Sequence, residues 1–250
     1  MADLQKLEDN ARPKIERTLS YLMREAIKNY ERTGIPGLPR DADDRVRDVL
    51  RDVYSESIRA GAMSVQDGLK DCYLHLETKQ TMEELFATFV DLFIDLFGAQ
   101  KVQLITETTR KQIQRVIKIA NDEGIGTDAI ARRLREAVPQ FSKVRAAVIA
   151  RTESHSASQY GSLNMARQST RPLVKRWSSV EDDRTRSLID GDSYDHLVMD
   201  GQTVALEQAF DVPSITGGTE PLLFPGHPDG SPGNIINCRC AMTYRRADRN

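Results

Sequence analysis

The sequence predicts an α+β protein, in which a mostly helical N-terminal region precedes a helix-led module with a small irregular β-sheet. Apolar residues recur at helical spacing through most of the first 167 positions. Beyond residue 170 that period gives way to short apolar runs punctuated by Gly, Pro, Asn and Asp. A chain of 250 residues also buries a core without disulfide or metal staples, so the three cysteines are not needed for size alone.

The elements follow in order. Leu4, Leu7, Ala11, Ile15, Leu19, Leu22, Ala26 and Ile27 form one helical stripe, with Pro13 marking a kink or the true start. "TGIPGLPRDADD" punctuates the chain before a second helix carrying Val46, Val49, Leu50, Val53, Tyr54 and Ile58, which Gly61 is expected to end. Ser64 and Asp67 read as caps of a short third helix. Thr81 and Glu84 form a capping box for the apolar helix Leu85 to Phe97, with Gly98 as its stop. Asp91 and Asp95 interrupt that stretch, which is too short to cross a bilayer.

Ile113, Val116, Ile117 and Ala120 then lie on one helix. A Gly-Ile-Gly turn and Thr127 open another, with Ile130, Leu134 and Ala137 on one face, in a helix-turn-helix outline. After Pro139, Ser142 is expected to cap a separate long helix. "RPLVKRWSSVED" predicts a strand, and Asp200-Gly201 between two apolar runs predicts a hairpin in which His196 shares a face with Val198 and Ala205. "PSITGGTEPLLFPGHPDGSPGN" reads as loop, and "CRCAMTYRR" as a closing strand.

Composition is that of a soluble globular protein, with 39% hydrophobic and 29% charged residues and a net charge of −2. The first residues lack the pattern of a secretory signal, so a cytosolic protein, or one assembled in the cytosol, is expected. Positive charge concentrates in residues 101–151, where Lys111, Arg115, Lys118, Arg132, Arg133 and Arg135 are candidates for phosphate contact. Ordinary solvated helix faces would look the same. No Asn or Gln on the second helix offers the bidentate base contact of a sequence-specific reader.

Cys238 and Cys240 in "NIINCRC" carry the most pointed chemistry. Two thiolates with His196, and His227 or an acid as a fourth group, suit zinc, which prefers tetrahedral sulfur and nitrogen donors. Packing of two incidental thiols is the plain alternative. A cysteine nucleophile with a histidine base, or a nuclease using Asp182, Asp183, Asp190, Asp192 and Asp195, is the enzymatic alternative, without a protease, hydrolase or transferase signature to support it. Cys72 and His75 at C-x-x-H spacing read as packing residues.

The ordered set "ARTESHSASQYG", "KRWSSVEDDRTR", "HLVMDGQ", Phe210 and "FPGHPDGSPGNIINCRC" resembles the C-terminal domain of the phage Mu F-like minor head proteins, the phage head morphogenesis family. "IKIANDEGIGTDAIARRL" resembles the helical lead-in, and the likeness spans roughly residues 105–245. It implies a head-morphogenesis domain over 101–250, with the helical region 1–100 docking on the portal or major capsid protein. It further implies a structural, non-enzymatic role in the head of a tailed phage or prophage, near the portal, in assembly or DNA ejection. The virion would be built in the host cytoplasm, and the protein would touch double-stranded DNA without reading its sequence and would not enter membranes. Marked positions of the family fall on Arg151, Thr152 and Glu153, on Trp177, on Asp183, Arg184, Thr185 and Arg186, on His196, Asp200 and Gly201, and on Asn237, Cys238, Arg239 and Cys240. In relatives the histidine follows "RTR" closely, whereas here "SLIDGDSYD" intervenes. The resemblance strengthens a structural zinc corner. Arg151 and Glu153 on the long helix are placed to hydrogen-bond the "DDRTR" turn, with an exposed ion pair as the plain alternative.

Overall fold

The computed structural model describes residues 3–68 and 81–247. Cys72 and His75 lie outside the described residues. The elements run α1 (Leu4–Thr33), α2 (Ala42–Gly68), α3 (Met82–Phe93), a π-helical turn (Ile94–Gly98), α4 (Ala99–Asp122), α5 (Thr127–Arg167), β1 (Leu173–Ser178), β2 (Thr203–Ala205), β3 (Phe210–Pro213), β4 (Thr219–Leu222), α6 (Pro232–Ile235) and β5 (Ala241–Arg246). The α+β prediction holds. The chain divides into two compact units, one built from residues 8–53 and 94–150, the other from 1–7, 54–93 and 151–250.

The all-helical unit is organised by the predicted stripes. Met23, Ala26, Ile27 and Tyr30 of α1 share a core with Ile113, Ile117 and Ala120 of α4 and with Ile130, Leu134 and Val138 of α5. Gly124, at φ +70°, turns the chain between α4 and α5 in the left-handed region that favours glycine. The predicted break at Pro139 does not occur. Pro139 forgoes one backbone hydrogen bond on an exposed face, while Leu134, Val138, Ala146 and Ala150 stay buried on either side, and that burial carries α5 through. Ser142 is consequently not a cap but a buried residue, its hydroxyl 3.8 Å from Met23 Sδ. Pro13 likewise lies inside α1.

In the α+β unit, α3 opens with the predicted box. Glu84 N donates to Thr81 Oγ1 (3.2 Å) and Thr81 N donates to Glu84 Oε2 (2.7 Å), which holds the Glu84 carboxyl below its usual range. Gly98 is no stop, because a π-helical turn carries the chain directly into α4. Nor does Gly61 end α2, which continues to Gly68 and takes in Ser64 and Asp67. Gly61 is there for proximity: a methyl group on it would stand 2.0 Å from Ser158 O, and one on Gly161 would stand 2.2 Å from Ile58 O. The α2 and α5 backbones touch at these glycines. Small residues on α5 permit the approach, and Thr152–Ala166 is buried throughout.

β1 is the central strand of a three-stranded antiparallel sheet, paired with β2 (Lys175↔Val204) and β5 (Lys175↔Tyr244). β3 and β4 form a separate hairpin (Phe210↔Leu222), so part of the stretch read as loop is regular structure. The hairpin expected at Asp200-Gly201 is absent, since residues 196–202 form turns and β2 pairs with β1 instead. Gly201, at φ +78°, closes this connection by donating its N–H to Trp177 O (3.0 Å), while Trp177 N donates to Gln202 O (2.9 Å).

Candidate metal centre

Three elements deliver the site. β5 is preceded by Cys238 and Cys240, the turn after the 187–195 loop brings His196, and α6 supplies Asn234. His196 does not share a face with Val198, which is 54% exposed. It is buried, at 1% exposure, beside Cys238 at 1% and Cys240 at 4%. Its Nδ1 lies 3.6 Å from Cys238 Sγ and 3.5 Å from Cys240 Sγ. The ligand atoms of these three residues all lie within 4.8 Å of one another, the one such His/Cys/acid group among the described residues, and they could hold a metal ion.

The inserted "SLIDGDSYD" keeps the histidine in place by closing on itself. Arg186 O accepts both His196 N (2.9 Å) and Leu197 N (3.1 Å), so the chain leaves at Arg186 and returns to it. Asp192 Oδ2 caps Ser187 N (3.0 Å), and Asp195 caps Leu188 N, Leu197 N and Val198 N. Those carboxylates are thereby committed to turns. Asp190 and Asp183 are exposed.

The back of the imidazole is equally fixed. Nε2 lies 2.6 Å from Asn234 Oδ1, and Asn234 Nδ2 donates to Glu220 Oε2 (2.6 Å). Glu220 accepts only, so the Asn234 amide orientation is set and Nε2 must carry the proton it donates. Nδ1 then faces the sulfurs. A ring nitrogen aimed at soft donors, with the other nitrogen anchored to an amide and a carboxylate behind it, is how a metal-binding histidine is held. Trp177 covers the ring edge-on, centroids 5.3 Å apart.

The thiols are unequal. A hydrogen bond shared with Cys238, with Ser179 Oγ 3.7 Å away, pushes Cys240 below its ordinary value, and the same sharing together with burial pushes Cys238 well above its own. Arg186 and Arg239 supply positive charge beside the pair. Arg239 Nη1 donates to Asp182 Oδ2 (2.6 Å) in a two-pronged ion pair that holds the Asp182 carboxyl well below its usual range. Asp182, not the neighbouring Asp183, is thus the acid that secures the "DDRTR" turn to the C-x-C segment. Arg184 stands 3.6 Å from it, and Arg186 donates to Ile236 O.

The remaining marked residues serve the same segment from α5 and β1. Thr152 Oγ1 accepts Asn237 N (3.1 Å), and Arg151 Nη1 donates to Asn237 Oδ1 (3.4 Å). Asn237 adopts φ +58°, a left-handed conformation that Asn tolerates, and so aims the next residue inward. Glu153 accepts from Tyr54 Oη (2.9 Å). Asp200 Oδ1 accepts Ser179 N (2.7 Å), and Ser179 Oγ donates to His196 O (2.5 Å). His227 is placed apart from the three ligands, its ring 4.7 Å from that of Phe224 and its Nδ1 3.9 Å from Asp229. Sequence reasoning missed Asn234 and Glu220, and had Asp182 only as a carboxylate of the nuclease alternative, not as the partner of Arg239. For Asn234 the signal was present in the first letter of the "NIINCRC" motif.

A cavity of about 340 Å³ adjoins the site, lined among others by Ser158, Gln159, Ser162, Ser179, Arg239 and Met242. Among the described residues its lining holds no acid or base other than Arg239, which is already paired with Asp182.

The six DNA-contact candidates lie on exposed positions of α4 and α5. Arg133 pairs with Glu123 (2.5 Å), Arg135 with Glu31, and Lys111 with Glu107 (3.8 Å). Arg115, Lys118 and Arg132 have no acidic partner among the described residues.

This geometry sits in a chain whose residues 111–243 match the family described as Phage Mu protein F like protein, and the chain belongs to that family. It is 30% identical over 147 residues to minor head protein GP7 of Bacillus phage SPP1, covering 58% of this chain and 42% of that protein. It is also 25% identical over 143 residues to the uncharacterized protein YqbB of Bacillus subtilis (strain 168), covering 56% of this chain and 43% of that one. The match thus spans less than half the length of these relatives. No solved structure matches. Among the described residues no helix is long and apolar enough to cross a membrane.

Proposed function

We propose that this protein is a minor structural component of a tailed-phage or prophage head, acting in head morphogenesis or DNA ejection rather than as an enzyme. The observation that carries the reading is the family match over 111–243, which takes in His196, Cys238 and Cys240 together with the second half of α4 and all of α5. Likeness to a minor head protein supports a place in the virion, assembled in the host cytoplasm, with portal or major capsid protein as the partner. The helices up to residue 100 would dock on that partner, and the module from 101 would form the head-morphogenesis domain. Lys111, Arg115 and Lys118 recur at helical spacing on α4 and suit phosphates of packaged double-stranded DNA. His196, Cys238 and Cys240 bind zinc as a structural staple, a reading supported by three buried soft and imidazole donors whose ligand atoms lie within 4.8 Å of one another.

Co-expression with the portal protein of the same phage genome tests the first part. Co-purification of the pair, and heads with altered assembly or ejection when the gene is deleted, are expected; normal infectious heads without it would refute the role. Fluorescence anisotropy on unrelated duplexes tests the DNA part. Equal affinities that fall steeply between about 50 and 200 mM salt are expected. A strong preference for one sequence would favour a helix-turn-helix regulator instead, and DNA cleavage lost in Cys238→Ser would favour a nuclease.

A further inference from the structure

Cys238, Cys240 and His196 provide three donors, and a closed structural zinc site takes four. His227 is engaged elsewhere, on Phe224 and Asp229, and the acids of the 187–195 loop are committed to backbone caps. One further donor stands in the same interior. His155, on α5 two residues beyond Glu153, is 3% exposed, and neither of its ring nitrogens has a hydrogen-bond partner of full geometry, the backbone of Pro225 being the polar group that acts on the ring. Buried polar groups left in that condition are rare in folded proteins.

The surroundings of His155 point to the triad. On α5 it stands between Thr152 and Gln159, whose side chains accept Asn237 N (3.1 Å) and Met242 N (3.0 Å) on either side of the C-x-C segment. The loop opposite passes with Gly226 against the ring, where a Cβ would stand 2.8 Å from His155 Cδ2 and 3.2 Å from Nε2. Gly226 also holds φ +77°, so backbone geometry and the space beside the imidazole demand the same residue.

We infer that His155 is the fourth zinc ligand, closing a Cys₂His₂ site that joins α5 to the C-x-C segment. This rests on the proposal that the triad binds zinc. His155 stands outside the mutually close set of three, on the α5 face turned to the same segment. The staple would then connect the buried half of α5 with the end of the sheet, which Thr152 and Gln159 already bridge through Asn237 N (3.1 Å) and Met242 N (3.0 Å).

Zinc K-edge X-ray absorption on the reduced, zinc-reconstituted full chain tests this without any variant. Two sulfurs and two imidazoles are expected. Chelator competition on His155→Ala should show zinc affinity lowered at least about tenfold, since even residues behind a ligand command that much. His155→Cys should give a three-sulfur spectrum if the variant folds. One imidazole and a light oxygen scatterer in wild-type protein that does bind zinc would overturn the His155 assignment and leave the triad standing. Failure of wild-type protein to retain zinc at all would remove the triad reading, and this inference with it.

Discussion

Replacing Gly61 by alanine puts a methyl group 2.0 Å from Ser158 O, where ordinary contact begins near 3.4 Å. The obstruction is backbone, with Ser158 C at 2.8 Å and Cα at 3.0 Å behind the oxygen, so no side chain can swing aside. α2 and α5 must part by roughly 1 Å, enough to forfeit a quarter to a half of each dispersion well along the crossing. Overpacking of this kind costs about 1–3 kcal/mol, and a rigid backbone neighbour places it at the upper end. Alanine returns about 1 kcal/mol through its better helix propensity, so the net destabilisation is about 2 kcal/mol. For a chain of this length that corresponds to a fall in Tm of about 4–8 °C. Gly161→Ala, 2.2 Å from Ile58 O, should behave alike, and the double variant should cost less than the sum because one separation of the helices relieves both. Urea titration followed by circular dichroism measures all three. If Gly61→Ala proved as stable as the parent, or more so, Gly61 would be an ordinary helical glycine and the close crossing would be wrong.

Further outcomes follow from the site and its supports. Zinc should be present at about one equivalent, should be absent from the Cys238→Ser, Cys240→Ser double variant, and its chelation should lower Tm in the parent but not in that variant; elemental mass spectrometry and thermal melts decide it. Tyr54→Phe should cost about 2 kcal/mol by chemical denaturation, because it removes a donor from the buried Glu153 carboxylate. Lys175, buried with Nζ on Leu223 O at 2.7 Å, is pushed down to about 8 by burial. Between pH 8 and the ordinary lysine value of 10.5 the unfolded chain therefore binds the extra proton, so stability should rise with pH across that window, and less so in Lys175→Met. Changing Arg115, Lys118 and Arg132 together should weaken binding to all duplexes and flatten the salt dependence by roughly 0.9 for each phosphate no longer neutralised, read by anisotropy.

Where the sequence was decisive, the information was local. Helical stripes in α1, α2, α4 and α5, the capping box at Thr81 and Glu84, and the strands around Trp177 and after Cys240 are set by spacing and by neighbours a few residues away. The His-Cys-Cys chemistry was legible for a related reason, since thiols and imidazole are uncommon and two thiols one residue apart can converge on one partner. Punctuation misled where distant packing outweighed it. Gly61 stays helical because another backbone passes within a methyl radius, and α5 survives Pro139 because burial continues on both sides of it.

Tertiary structure alone decided the rest. That His196 returns to Arg186 across the 187–195 loop, that Asn234 and Glu220 fix its tautomer, and that Asp182 rather than Asp183 takes Arg239 all depend on hydrogen bonds between residues 10 to 57 positions apart. No periodicity encodes such pairings. The residues of the site are written in the sequence, but which nitrogen faces the sulfurs is settled only where the folded chain leaves Asn234 a single way to satisfy both neighbours.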